Sequence, residues 1–162
     1  MAALTPYLSA VGNRNLKQPR SRAIPFEHIS IVLDFASLAA LKGSALAQND
    51  TIDTWKIPQG FLVYDAFAVV KTASTAAATI QVGDASSATG FITSVACNGT
   101  AGAATPGNGS YVYSSSAATS PKSYWAASGL LRATINSAAA PADGVVELHI
   151  IGFNSTLNTH LS

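Results

Sequence analysis

The residues best equipped for chemistry in this chain are few: one thiol, three imidazoles, and a glycine-aspartate step followed by hydroxyls. Most of them stand in "TIQVGDASSATGFITSVACNGT", Thr79 to Thr100. Gly83-Asp84 ends one apolar run, Ser86 and Ser87 follow, Gly90 opens a second run and Cys97 closes it. A phosphate cradle of the P-loop kind needs a Gly-rich turn that ends in Lys before Ser or Thr, because backbone amides and an ammonium must neutralise the phosphates together. No Lys stands between Lys71 and Lys122. A dinucleotide turn needs closely spaced glycines that open a helix, whereas Gly90 opens "FITSVAC", which reads as a strand. A nucleophile at Ser86 or Ser87 needs a base and an elbow such as G-x-S-x-G; His28, His149 and His160 are distant in sequence and their spacing brings none of them there. Asp84 is the one acid of its loop, and a calcium ion wants several closely placed oxygens. The stretch reads as a sheet corner whose Ser and Thr hydroxyls satisfy loop backbone.

The other candidates weaken in the same way. Asp50 and Asp53 beside Asn49 offer the start of a metal clip, but they read as a solvated loop ahead of the strand around Trp55. Cys97 is the only cysteine, so no internal disulfide or cysteine-based zinc site can form, and the thiol is expected inside a strand layer. Tyr111, Tyr113, Tyr124 and Trp125 invite a sugar-stacking reading. Tyr111 and Tyr113 stand at period two, however, which predicts one face of a strand and packing in a sheet or subunit contact. Asn49, Asn98, Asn108 and Asn154 each head an N-x-S/T triplet, a by-product of an Asn-, Ser- and Thr-rich composition. No residue pattern calls for a cofactor or a metal, and no catalytic set emerges.

The feature that remains is a basic leader. Arg14, Lys17, Arg20 and Arg22 all precede the first acid, Glu27, and beyond Phe26 the acids outnumber the bases. Pro6, Pro19 and Pro25 remove donors and favour extended backbone, and no apolar period of either kind is present. Residues 1–25 are therefore expected to be an extended arm that does not fold alone. Its isolated apolar residues, Leu4, Tyr7, Leu8 and Leu16, would serve as pegs on another protein. Counterion release could draw the four cations to nucleic acid, but the cationic stretch lacks the aromatics on which single-strand binders stack bases. Docking on an acidic protein surface explains prolines, pegs and cations together, and a disordered tail without function is the further alternative.

The elements that must position these residues are strands. "HISIVLDFA", "FLVYDAFAVV", "ATIQVGD", "GFITSVAC", "SYVYSS", "YWAASGLLRATIN" and "GVVELHIIGFN" are β-rich runs, parted by "PQG", "GDASSATG", "NGTAGAATPGNG" and "SAAAPADG". Seven or eight such strands predict an all-β fold: a single β-sandwich body of jelly-roll-like type, or a barrel, over 26–162. "SLAALKGSALAQ", Ser37 to Gln48, has helical spacing after a possible Ser37 cap, but Gly43 interrupts it, so a short helix and an irregular crossover are both open. At 162 residues the chain can bury roughly 70% of its unfolded surface without staples. Charged residues are 10% of it, against about 25% in ordinary soluble proteins. Few charges leave sheet edges to be guarded by other means, and burial in an assembly is the simplest. The N-terminus lacks the basic and apolar regions of a signal peptide. No run approaches a membrane span, since Asp65 interrupts the best one. Synthesis in a host cytoplasm without a membrane partner is expected.

From Trp55 onward the pattern resembles bacteriophage capsid decoration, or cement, proteins of the β-sandwich type. Ile57, Pro58 and Gly60 match the turn that introduces a strand. Val82, Gly83 and Asp84 match the entry to a small-residue loop, and Gly144 through Phe153 match the closing strand. The resemblance implies a non-enzymatic virion protein on the outer capsid surface, a homotrimer that binds the major capsid protein. By analogy the arm would thread over neighbouring subunits, with Arg14, Lys17, Arg20, Arg22, Leu4, Tyr7, Leu8 and Leu16 as docking residues. The alternative is a carbohydrate-binding or host-recognition module of a head fibre or tail. An enzyme would require two of His28, His149 and the acids to converge in a pocket.

Overall fold

A computed structural model describes residues 26–114 and 128–154. The expected arm, with all eight of its docking residues, lies outside the described residues, as do Tyr124, Trp125 and His160.

The described chain is all β apart from one helix. In order it forms β1 (Phe26–Asp34), α1 (Phe35–Lys42), β2 (Thr51–Ile57), β3 (Phe61–Thr72), β4 (Thr79–Gly83), β5 (Ile92–Ala96), β6 (Ala104–Pro106), β7 (Gly129–Ile135) and β8 (Val145–Asn154). They make two antiparallel sheets of four strands, ordered β1-β8-β3-β6 and β2-β7-β4-β5. Strand 1 pairs with 8, 2 with 7, 3 with 6 and 4 with 5. This is the nesting of one long hairpin rolled over on itself, the first and last strands side by side.

Alternation of side chains decides what each sheet buries. From the first sheet Ile31, Leu33, Phe61, Val63, Ala66, Ala68, Val70, Val146, Leu148 and Ile150 point inward. The second sheet answers with Ile52, Ile57, Ile80, Val82, Ile92, Val95, Leu131, Ala133 and Ile135. All of these are almost fully removed from water, and at about 25 cal/mol per Å² of apolar surface each large one contributes roughly 1.5–3 kcal/mol.

A strict period of two along "FLVYDAFAVV" would place Asp65 on the same face as Phe61 and Val63. The strand instead carries a bulge between Val63 and Asp65, so Phe61 and Val63 face in, and then Ala66, Ala68 and Val70 do. The extra residue turns Asp65 outward, where its carboxylate accepts from the Ala66 amide at 2.8 Å and the Ser114 hydroxyl at 2.8 Å. A buried, unpaired carboxylate is avoided by inserting one residue.

The ambiguous segment is a helix, but shifted from its expected limits. Asp34, not Ser37, is the cap: its carboxylate accepts from the amides of Ala36 and Ser37 at 3.1 and 3.3 Å. Gly43 ends the helix in the left-handed region, φ 74°, and does not interrupt it. Two further expectations need correction. "SYVYSS" is not a strand over its described residues, because Tyr111 to Ser114 form turns; the sixth strand is Ala104–Pro106, inside the stretch expected to be a loop. Tyr111 and Tyr113 therefore share no strand face. Tyr111 packs edge-on against Phe91 at 5.8 Å, and Tyr113 stacks on Tyr64 at 5.7 Å.

Gly152 lies opposite Val63 in the middle of the first sheet, and a Cβ there would run into the Phe61 ring and the Leu62 carbonyl. Gly152→Ala is expected to cost about 1–3 kcal/mol by overpacking and to lower the melting temperature by several degrees. Phe61→Leu in the Gly152→Ala background removes the ring and should recover part of that loss. Equal melting of wild type and Gly152→Ala would contradict this packing.

Candidate docking face

β8 lies in the middle of the first sheet, between β1 and β3, so its outward residues sit on a broad surface. Those residues are Val145, Glu147, His149, Ile151 and Phe153. β1 adds Phe26, His28, Ser30, Val32 and, at its end, Asp34, and β3 adds Leu62, Tyr64, Asp65, Phe67, Val69 and Lys71. The part-exposed positions of the second sheet are more mixed: Thr51, Thr79, Gln81, Thr93, Ser94 and Thr134, the Asp53–Arg132 ion pair at 2.7 Å, and also Trp55, Lys56, Ala96 and Leu130. The first side is the richer in exposed aromatic and apolar side chains, and the second the richer in hydroxyls.

Two clusters make up the apolar side. At one end Phe26 packs on Phe153 with ring centroids 3.9 Å apart. Tyr64 meets Phe26 edge-on at 5.7 Å and Phe153 at 6.0 Å, and Tyr113 stacks on Tyr64. The register explains the first contact, since Phe26 and Phe153 are direct partners across β1 and β8. Phe26 and Tyr113 remain 59% and 60% exposed, a large apolar area left to water.

At the centre of the face three rings stack across three strands. His149 lies between His28, with centroids 5.1 Å apart, and Phe67, at 4.4 Å. His28 Nε2 and His149 Nδ1 face each other at 2.9 Å, so one nitrogen donates and the other accepts. The accepting ring must be neutral. Glu147 accepts from the Ser30 hydroxyl at 2.5 Å and pairs with Lys71 at 3.3 Å and His149 Nε2 at 3.6 Å. The Ser30 hydroxyl, more than any other group, holds the Glu147 carboxyl below its usual range, with Lys71 and His149 helping. Burial pushes His149 down; Glu147 pulls the other way, and the charges of His28 and Lys71 add to the fall.

The fold thus brings His28, His149 and Glu147 together, which their spacing in sequence did not indicate. They converge on an outward sheet face, and the neighbouring hydroxyl, Ser30, hydrogen-bonds to the carboxylate. The remaining candidates have local structural roles. Asp84 closes an Asx turn, accepting from the amides of Ser86 and Ser87 at 2.8 and 3.0 Å, and Gly83 is required there because a Cβ would strike the Ser87 carbonyl. The opening stretch of hydroxyls is a sheet corner. Asp50 is held by Lys42 at 2.6 Å and the Ala47 amide, while Asp53 turns to Arg132, so the two acids are drawn apart. Cys97 is fully buried just past β5, and burial pushes its thiol up to about 12. Gly60, at φ 84°, completes the turn after Pro58 that starts β3, with Phe61 N–H donating to the Pro58 carbonyl.

No family model and no curated protein matches the sequence. Solved structures share the fold. A chain in the structure described as "Cyanophage Pam1 capsid asymmetric unit" is similar at 16% identity and a TM-score of 0.56, over 92% of this chain and 99% of that one. A chain in "Capsid of Ralstonia phage GP4" is similar at 13% identity and a TM-score of 0.57, over 90% and 94%.

The His149 ring gives a pH test. Its ordinary value is about 6.5 and the folded value is lower, so the unfolded chain binds the proton first. Stability is then full above about pH 6.5 and falls as pH drops toward the folded value. Wild type should melt at a lower temperature at pH 5 than at pH 7.5, and His149→Gln should show a shallower dependence. Identical slopes for the two proteins would show that the ring stack does not set this response.

Proposed function

We propose that this chain is a structural virion protein that decorates and cements a phage capsid, binding the major capsid protein as a homotrimer on the outer surface. The observation that carries the reading is the likeness to chains from two phage capsids over nearly the full length of both partners in each comparison. The neighbours are therefore domains of this size, and the likeness does not rest on a fragment of a larger subunit. The order in which the eight strands pair supports a jelly-roll body, with first beside last and fourth beside fifth. No step of this role requires chemistry. The work is burial of surface between subunits, which holds a shell against outward pressure.

In this reading residues 1–25 reach beyond the body. Extended, they span up to roughly 80 Å at about 3.3 Å per residue, well past the roughly 30 Å length of β8. Arg14, Lys17, Arg20 and Arg22 meet acidic shell surface, and Leu4, Tyr7, Leu8 and Leu16 fill shallow apolar sites. Ordering such a segment costs a few kcal/mol that its contacts must exceed.

Deleting residues 1–25 is expected to leave the body folded and to weaken binding to shells stripped of this chain by at least about tenfold, roughly 1.4 kcal/mol. Replacing the four cations with Ala should reproduce most of the loss at low salt and less at high salt. Unchanged binding after truncation would remove the arm from the account, and absence of full-length binding to shells would remove the function.

A further inference from the structure

We infer that the outward face of the β1-β8-β3-β6 sheet is the surface on which a second copy of this chain packs. The inference deepens the reading of the chain as a homotrimer, and it names the face and its chemistry.

Three observations carry it. The first is the contrast between the two sides: Phe26, Tyr64, Tyr113 and Val32 are exposed on this face, while the opposite sheet presents mostly hydroxyls, an ion pair and Lys56, with Trp55 and Leu130 half-buried. Aromatic residues are enriched, and unpaired charges depleted, where proteins meet.

The second is charge. Formal charges among the face's strand residues are few and held: Lys71 and Glu147 pair with each other, Asp65 accepts from the Ala66 amide and the Ser114 hydroxyl, Asp34 at the end of β1 caps the helix, and burial favours neutral His149. Such a face carries little free charge to repel a second copy, and in a closed trimer it meets a different patch of that copy. The shell-binding arm, by contrast, is cationic and fits an acidic partner.

The third is extent. Three long strands at about 4.8 Å spacing and roughly 30 Å length give a footprint of about 430 Å² per copy. Side-chain relief enlarges the accessible area, so two copies together approach the ~1,000 Å² that a specific interface needs. The bordering edge adds to it. β6 is short and ends in Pro106, β5 has five residues, and β2 carries a bulge and Lys56. β1 runs nine residues with no Lys, Pro or bulge and pairs only with β8 among the described residues, so its other edge can be covered in the same contact.

The test uses the full chain at micromolar concentration, with mass measured by sedimentation and folding by thermal melts. Tyr64→Arg and Val32→Arg place a charge in the face, and Thr93→Arg places one on the opposite sheet as a control. Wild type and Thr93→Arg are expected to sediment as a multimer. The two face variants should dissociate at least about 100-fold more readily, with melting of the separated body cooperative. A monomeric wild type overturns the inference, as does a multimer that Tyr64→Arg and Val32→Arg leave intact or that Thr93→Arg breaks. Shell binding is followed in parallel, which separates this inference from the capsid reading. If the face variants keep their mass but lose shell binding, the face docks on shell protein. If they keep their mass but expose residues 1–25 to trypsin, the chain's own leader covers it.

Discussion

The structure depends on the place of its last strand. β8 is hydrogen-bonded on one side to β1 and on the other to β3, so the C-terminal part of the described chain locks the N-terminal part into the sheet. Closing so long a loop is entropically costly and its cost grows only slowly with length, which is why the contact must be continuous. Nine residue pairs join β1 to β8, from Phe26↔Phe153 to Asp34↔Val145. A central strand of this kind is buried on its inner face by the core and needs an outer face compatible with its neighbours. In β8 that outer face is Val145, Glu147, His149, Ile151 and Phe153, and its apolar members are what give the protein a side that water does not suit.

Much of this was legible in the sequence. The β-rich runs and their turn formers marked out most of the strands, and "PQG" and "GDASSATG" are turns for the reasons their residues gave. What was not legible came from competition between local pattern and burial. Strict alternation in β3 fails at Asp65, because burying that carboxylate costs more than inserting a bulge. The tyrosines of "SYVYSS" stand at strand spacing, yet Gly90 and Gly109 draw that segment into turns against the corner: a Cβ on Gly90 would strike the Tyr111 ring, and one on Gly109 the Gly90 carbonyl. The helix began earlier than Ser37 because Asp34, at the end of a strand, is the better-placed cap.

The apolar outer face was half visible. Outward residues on a solvated strand are normally polar, yet in β1 and β8 the outward set includes Phe26, Val32, Val145, Ile151 and Phe153 beside an inward set of Ile31, Leu33, Val146, Leu148 and Ile150. That double pattern in strands of an antiparallel sandwich signals a sheet covered on two sides. The meeting of His28, His149 and Glu147 could not be read, because it depends on the register between two strands more than a hundred residues apart. The low charge content and the apolar side express one property, a body suited to being covered. Likeness in fold to chains of two phage capsids agrees with that property, and the function proposed follows from taking the two together.

The central claim is that neighbours complete this sandwich and no small ligand does. Hydroxyl-radical footprinting of the protein free and on assembled particles measures it directly, because aromatic rings label according to exposure. On particles, labelling of Phe26, Tyr64 and Tyr113 is predicted to fall several-fold relative to monomeric chain, while Trp55 on the opposite sheet changes little. Equal labelling of the three rings in both states would contradict the account.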